Sequence, residues 1–373
     1  MKQNGSPKII NCMVKIYTNH STNNLICEYF NARDIEFDFI SSQDSIPKED
    51  QLNHYIRNNQ NQKVCFLLTK IYFIDLLVHC KNGDVFDQST VVLYDNDMEP
   101  YWSQMILEDP KKVEFLNSKL TKKITAFVDH KPGKKVRDVW SNINFEHFNY
   151  TNYSQFDGSF FEALKNKQTA KKDYFYAVIA KNDFRKKVLS VLKEKGLDQN
   201  SFNLQSASYD NKPFADLYES YGKLYVDTFV WHPCLPPLNF YNNTNFELVF
   251  ECLGILPGDD SFHITEKVLK PIAMKHPFLV ATTPMFLEYM RAEGFKTFDG
   301  IIDESYDKEF DTDTRIDMIC DTIKLINTDS ERIYNQCQEI CEFNYDVYIK
   351  KLGSYKAILW KDYNNFFKKH LEI

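Results

Sequence analysis

Apolar residues fall in short runs through the first half of the chain: KIINCMVKIYT, then NNLICEYFNARDIEFDFIS, then runs near 64–80 and 91–94, then KKITAFVDHKPG. Few of these alternate strictly with polar residues. Alternation arises where one face of a strand meets water, so its lack suits strands covered on both faces, as in parallel sheets. The pattern predicts a first strand in KIINCMVKIYT and a short helix leading to a second strand in NNLICEYFNARDIEFDFIS. It also predicts a strand in KKITAFVDHKPG that a Pro-Gly turn closes. This half reads as a parallel or mixed sheet with helices.

Residues 149–173 are polar and poorly periodic, which places a boundary there. Beyond it, Tyr174–Ala180 reads as a buried strand and Asn182 or Asp183 as an N-cap. Phe184, Val188, Leu189 and Leu192 then share one face of a helix that Gly196 can end. KLYVDTFVW (223–231) and NFELVFECLG (245–254) supply two further strands, followed by a helix over 266–275 and the strand PFLVATT. The βαβαβ alternation implies a second parallel sheet. From Thr312 onward the pattern is helical, with Phe343, Tyr345, Tyr348, Tyr355 and Trp360 spaced for core packing.

At 373 residues, the chain is too long for one ordinary core, and about 150 residues per domain suggests two. The boundaries are 1–160, 170–330 and a helical tail over 331–373. A net charge of −7 gives no global field to draw the protein onto a polyanion. The densest basic run, Lys171-Lys172, Lys181 and Arg185-Lys186-Lys187, reads mainly as a solvated helix face. The nine cysteines include no CxxC pair and lie mostly among apolar neighbours, so they behave as small hydrophobes. With no leader-like apolar segment near Met1 and no run of about 18 apolar residues, a reducing compartment, the cytoplasm, is expected, with no membrane span.

Candidate chemistry starts from absences. GxGxxG after a strand, GxxxxGK[ST], GxSxG and HExxH are all missing, and the histidines are scattered. What remains is charge at strand-to-helix junctions, where parallel sheets bind ligands at their carboxyl ends. Arg185 follows the strand 174–180, and Lys267 follows the N-cap candidate Thr265. A cation at a helix start meets the positive end of the helix dipole, a cost that a bound anion such as a diphosphate offsets. In ITEKVLKPIA, Val268, Leu269, Ile272 and Ala273 form the buried stripe, with Lys267 and Lys270 on the other side. The first-turn carboxylate of Glu266 can accept both hydroxyls of a ribose while the neighbouring ammonium meets phosphate. The simpler alternative is that Glu266 complements the dipole and Lys267 is solvated.

The segment FELVFECLGILPGDDSFHITEKVLKPIAMKHPFLV resembles the donor-binding region of GT-B glycosyltransferases related to the α1,3-fucosyltransferases, where Phe-Glu-Asn ends a strand and Thr-Glu-Lys opens a helix. It is similar also to glycosyltransferase-like proteins of phages and large DNA viruses, in which TEK, KPI, KHPF and GFKTF…IDESYD recur in this order. The resemblance covers about residues 174–315. It implies an α/β GT-B fold, two Rossmann-like domains facing a cleft, with C-terminal helices packing back toward the first domain. It also implies that Glu266 binds ribose, that Lys267 binds phosphate, that Arg185 clamps the diphosphate, and that Glu251 stands in the Phe-Glu-Asn position with Cys252 in place of Asn. Thr265 and Lys270 complete the donor set.

By the same resemblance, the enzyme is an inverting glycosyltransferase that takes a nucleotide-sugar donor as substrate and uses neither metal nor cofactor. Its catalytic base comes from the first domain. YDNDMEPYW offers Asp95, Asp97 and Glu99 for that role, Asp97 and Glu99 ahead of Asp95. Asp95-Asn96-Asp97 could instead hold Mn or Mg in a GT-A enzyme, or form an acidic surface turn. The acceptor is a glycan hydroxyl or a modified nucleobase. A DNA-modifying transferase for hydroxymethylated bases would need a basic groove, which KLTKKITAFVDHKPGKKVR could make. A third reading is a non-catalytic GT-B-like binding module.

Overall fold

The structure, a computed structural model, describes residues 14–18, 25–39, 49–58, 63–69, 73–74, 78, 90–95, 102, 105–106, 109–120, 122–128, 131–147, 172–179, 183–206, 238–251 and 261–372. The first sheet holds β1 (Val14–Thr18), β2 (Phe37–Phe39), β3 (Lys63–Leu68), β4 (Thr90–Asp95), β5 (Ile124–Val128) and β6 (Ile143–His147). They lie in the order β2-β1-β3-β4-β5-β6, all parallel. The central strands β3 and β4 are buried on both faces, which is why their sequences do not alternate. The helices α1 (Leu25–Asn31), α2 (Glu49–Asn58), α3 (Pro110–Lys119) and α4 (Lys134–Val139) lie between the strands in sequence.

β6 escaped the sequence pattern because it is an edge strand whose INFEH residues are only partly covered. α3 carried a local signal: Asp109 accepts a bond from the Lys112 amide at 2.9 Å, and Pro110 opens the helix, a favoured N-terminal pairing.

The second sheet is also parallel, in the order β10-β9-β7-β8. Its strands are β7 (Tyr174–Ile179), β8 (Ser201–Ser206), β9 (Phe246–Phe250) and β10 (Phe278–Ala281). α5 (Asp183–Glu194) follows β7 and is closed by Gly196 at φ +67°, the left-handed turn that glycine accepts most readily. α6 (Leu238–Asn243) precedes β9, α7 (Glu266–Ala273) leads to β10, and α8 (Phe286–Ala292) follows it. The strand expected at 223–231 and most of the boundary stretch 149–173 lie outside the described residues.

The KHPF and IDESYD motifs serve this framework. His276 packs edge-on against Tyr241 and shares a hydrogen bond with Thr244. Asp307 accepts from the Leu287 and Glu288 amides at the start of α8, and Glu304 ties Thr297 and the Phe298 amide. Lys187 of the basic run pairs with Asp313 of α9 (Thr312–Thr328), and Lys195, just past the end of α5, pairs with Asp317 of the same helix at 2.6 Å. Cys27, Cys65, Cys320, Cys337 and Cys341 are buried among apolar side chains, and burial pushes the Cys65 thiol up to about 12.

The last helix, α10 (Ser330–His370), is 41 residues long, or about 60 Å at the ordinary helical rise. Cys337, Cys341 and Tyr348 belong to the core of the second sheet. Leu359, Tyr363, Phe366 and Phe367 belong to the core around α1, β1 and β4. One helix therefore joins both cores. Its far end is held by Glu146 of β6, whose Oε1 accepts from Lys369 Nζ at 2.6 Å and pairs with His370 Nε2 at 2.7 Å.

Partial burial works against the Glu146 anion, but Lys369 and His370 outweigh it and hold the carboxyl below its ordinary range. A depressed folded pKa contributes stability above the unfolded value and loses it as pH falls through the folded one. Amide exchange at residues 366–371 should therefore quicken as pH drops below about 4, after correction for intrinsic rates, and E146Q should quicken it at neutral pH. Unchanged protection in E146Q would show that apolar packing alone seats this end.

The two units also touch between the sheets. Lys131 and Phe262 exchange main-chain hydrogen bonds of 2.8 and 2.9 Å, and the Gly133 amide donates to Ser261 Oγ at 2.8 Å. Lys131 lies just past the carboxyl end of β5, and Phe262 just before α7. The carboxyl edges of both sheets therefore turn toward one seam.

Candidate functional site

In the second sheet the chain runs from β7 outward to β8, then returns to place β9 on the other side of β7 and β10 beyond it. The strand order thus reverses between β7 and β9. Parallel sheets open a ligand crevice at the carboxyl ends of such a pair, because the flanking connections leave in opposite directions. Arg185 follows β7, and Glu251, Thr265 and Lys267 follow β9.

These four form one hydrogen-bonded chain. Arg185 is 8% exposed, and its Nη2 donates to the carbonyls of Phe250 at 3.3 Å and Glu251 at 3.1 Å. Glu251 is fully buried. Its Oε1 accepts from the Thr265 amide at 3.1 Å, and Thr265 Oγ1 lies 2.8 and 2.7 Å from the two carboxylate oxygens. Thr265 Oγ1 in turn accepts from the Lys267 amide at 3.2 Å, with Lys267 Nζ at 3.5 Å. Thr265 is thus the N-cap of α7, as its residue type and place in the sequence suggested. The Lys267 side chain is half-buried. Glu266 opens the helix beside it.

Lys270 does not lie where helical spacing placed it. It is 3% exposed, and its Nζ pairs with Glu247 of β9 at 2.8 Å, while Tyr241 donates to the other Glu247 oxygen at 2.8 Å. The reason is tertiary: α7 packs against β9, β10 and α10, so the side opposite its apolar stripe is covered as well. Lys270 therefore supports the inside of the unit. A charged residue within FELVF was the available signal, since a carboxylate in a fully buried strand needs a partner.

Asp95 is the last residue of β4, and its backbone is in register with Val128 at the end of β5. This puts it on the carboxyl edge near Lys131, at the seam. Asp97 and Glu99 lie outside the described residues. The basic segment KLTKKITAFVDHKPGKKVR divides: Lys122 and Lys123 precede β5, whereas Lys131, Lys134, Lys135 and Arg137 follow it. Five strand residues separate the groups by about 17 Å, so they do not line one continuous groove along the sheet edge.

The sequence matches no family model and no curated protein. Among solved structures it is similar to an α,α-trehalose-phosphate synthase (UDP-forming) from Burkholderia vietnamiensis, at 8% identity and a TM-score of 0.43, covering 96% of this chain and all of that one. It is also similar to a protein assigned as a UDP-N-acetylglucosamine 2-epimerase from Listeria monocytogenes, at 9% identity and a TM-score of 0.35, covering 92% and 96%. These overlaps are too loose to argue from. Among the described residues, no helix is long and apolar enough to cross a membrane. On its own strand order, the chain is an α/β protein with two parallel, Rossmann-like sheets whose carboxyl edges meet at a seam and a C-terminal helix joining both cores, the GT-B layout.

Proposed function

We propose that this chain is a glycosyltransferase that moves a sugar from a nucleoside-diphosphate sugar to an acceptor hydroxyl of a glycan or modified nucleobase, without metal and with inversion. The observation that carries the reading is the linked set Arg185–Glu251–Thr265–Lys267 at the β7/β9 switch point, facing the seam with the first unit. It joins a buried guanidinium, a half-buried ammonium and the amide-rich start of α7 at the place where parallel sheets bind anions. In the reaction, the acceptor oxygen bonds to the anomeric carbon, the bond from that carbon to the diphosphate oxygen breaks, and the electron pair leaves on the diphosphate.

Lys267 and the α7 start take up that charge directly, and Arg185 fixes positive charge behind them. Glu266 meets the ribose. The acceptor proton goes to a carboxylate of the first unit, Asp95, Asp97 or Glu99, of which Asp95 ends β4 at the seam. We further place the chain in the cytoplasm and group it with the fucosyltransferase-like and viral proteins that its TEK and KHPF segments resemble.

Thermal unfolding with GDP-, UDP-, CMP- and dTDP-sugars tests this. A donor present at a hundred times its Kd should stabilise the fold by about 2.7 kcal/mol, a shift of several degrees. No shift with any of them would sink the donor reading in favour of a binding module with another ligand.

A further inference from the structure

Arg185 and Lys267 come from different helices, and one residue touches the support of both. The Glu251 main-chain oxygen accepts Arg185 Nη2 at 3.1 Å, and its carboxylate takes the Thr265 amide and hydroxyl at 2.7–3.1 Å. We propose that Glu251 is the positioning residue of this site: it sets the polarity of the Thr265 hydroxyl and so fixes where Lys267 and the first amides of α7 face the diphosphate. The inference rests on the diphosphate reading of Arg185 and Lys267.

The chemistry is specific to a carboxylate. A threonine hydroxyl has one proton and two lone pairs. Glu251, an acceptor through both oxygens when ionised, claims that proton. The Thr265 oxygen is then left as an acceptor toward α7, and the Lys267 amide donates to it at 3.2 Å. A glutamine of the same shape could present an NH2 group to the hydroxyl and let its proton swing toward Lys267, where it would oppose the amide. Because Glu251 is fully buried, it acts through Thr265 and Arg185 and does not touch the ligand.

Calorimetric titration of UDP and GDP into E251Q, T265V, T265S and the double variant E251Q/T265V, with a melting curve for each, decides the matter. For whichever nucleotide binds the wild type, E251Q and T265V should each weaken binding about tenfold, the loss of one bond to a charged group. T265S, which keeps the hydroxyl, should stay within about twofold. The double variant should be no weaker than either single one, because both break the same link.

Wild-type affinity in folded E251Q, or losses that multiply in the double variant, would overturn the proposal. So would a lowered melting temperature with unchanged affinity well below it, since Glu251 would then serve only stability. If E251Q does not fold, T265V against T265S decides alone: equal affinities overturn it. K267A separates the two claims. If K267A binds as wild type does, or neither nucleotide binds the wild type, the diphosphate reading falls and takes this inference with it. If K267A weakens binding and E251Q does not, only the positioning role is lost.

Discussion

Replacing Lys267 with alanine should lower sugar transfer by about two to three orders of magnitude, the usual cost of removing one preorganised charge partner from a leaving group. Its melting temperature should stay within about two degrees of wild type. The two expectations separate because the side chain is half-buried at the first turn of α7 and lies outside the buried stripe of Val268, Leu269, Ile272 and Ala273. Its ammonium is 3.5 Å from Thr265 Oγ1, at the long limit of a hydrogen bond. Turnover followed by nucleoside-diphosphate release, beside a melting curve, checks both. K267A with wild-type turnover would remove the mechanistic centre of the proposal. Arg185→Ala is the less clean experiment: it strips a donor from the Phe250 and Glu251 carbonyls, at about 1–3 kcal/mol for buried acceptors left unmade. Its loss of transfer should therefore come with a loss of stability.

The second large effect belongs to Lys270. K270M leaves the Glu247 carboxyl without its cation in a site where both side chains are nearly inaccessible. Breaking such a pair from one side costs about 3–5 kcal/mol. Replacing the whole group by apolar residues, as in Y241F/E247L/K270M, should recover most of that, because no unpaired charge or stranded hydroxyl remains.

The pH dependence has a definite sign. Burial holds Glu247 above the ordinary carboxylate range, even against the pull of Lys270 and Tyr241. A carboxyl whose folded pKa is raised adds stability in its protonated form, and that stability is lost as pH rises through the folded value. Without Lys270 the upward push is larger, so the K270M defect should shrink as pH falls from 8 toward 5. Urea unfolding at several pH values measures it. K270M as stable as wild type at pH 8, or a triple variant no better than K270M, would show that the pair does not act as described.

Much of the framework was legible beforehand for a simple reason. Strands β1, β3, β4, β5, β7, β9 and β10 are apolar runs, and in a parallel sheet covered on both faces burial depends only on that local property. The α5 start at Asp183, the left-handed Gly196 and the Thr265 cap are likewise local, since each is decided by the backbone geometry that its own residue permits. β6 was missed because an edge strand is only half-covered, so its polar residues conceal it.

The proposed donor set divides on the same line. Its place at strand-to-helix junctions was legible in the sequence, because helix starts and strand ends announce themselves in residue type. The sorting of its members into half-buried at the helix start and paired in the interior was not. Lys267 and Lys270 are both lysines on one short helix, and helical spacing treated them alike. Their difference arises because β9 supplies a buried carboxylate to one and α10 closes over the helix that carries it.

The sequence by itself indicated two sheets, the first parallel or mixed and the second parallel, the cations at helix starts and the N-cap that links Lys267 to its turn, all through short-range chemistry. The tertiary structure alone decided that Arg185 reaches across to the carboxyl end of β9, that Lys131 and Phe262 join the two units, and that one helix enters both cores. Those contacts join residues far apart in the chain, and whether they form depends on how the folded units pack, which no local pattern of residues encodes.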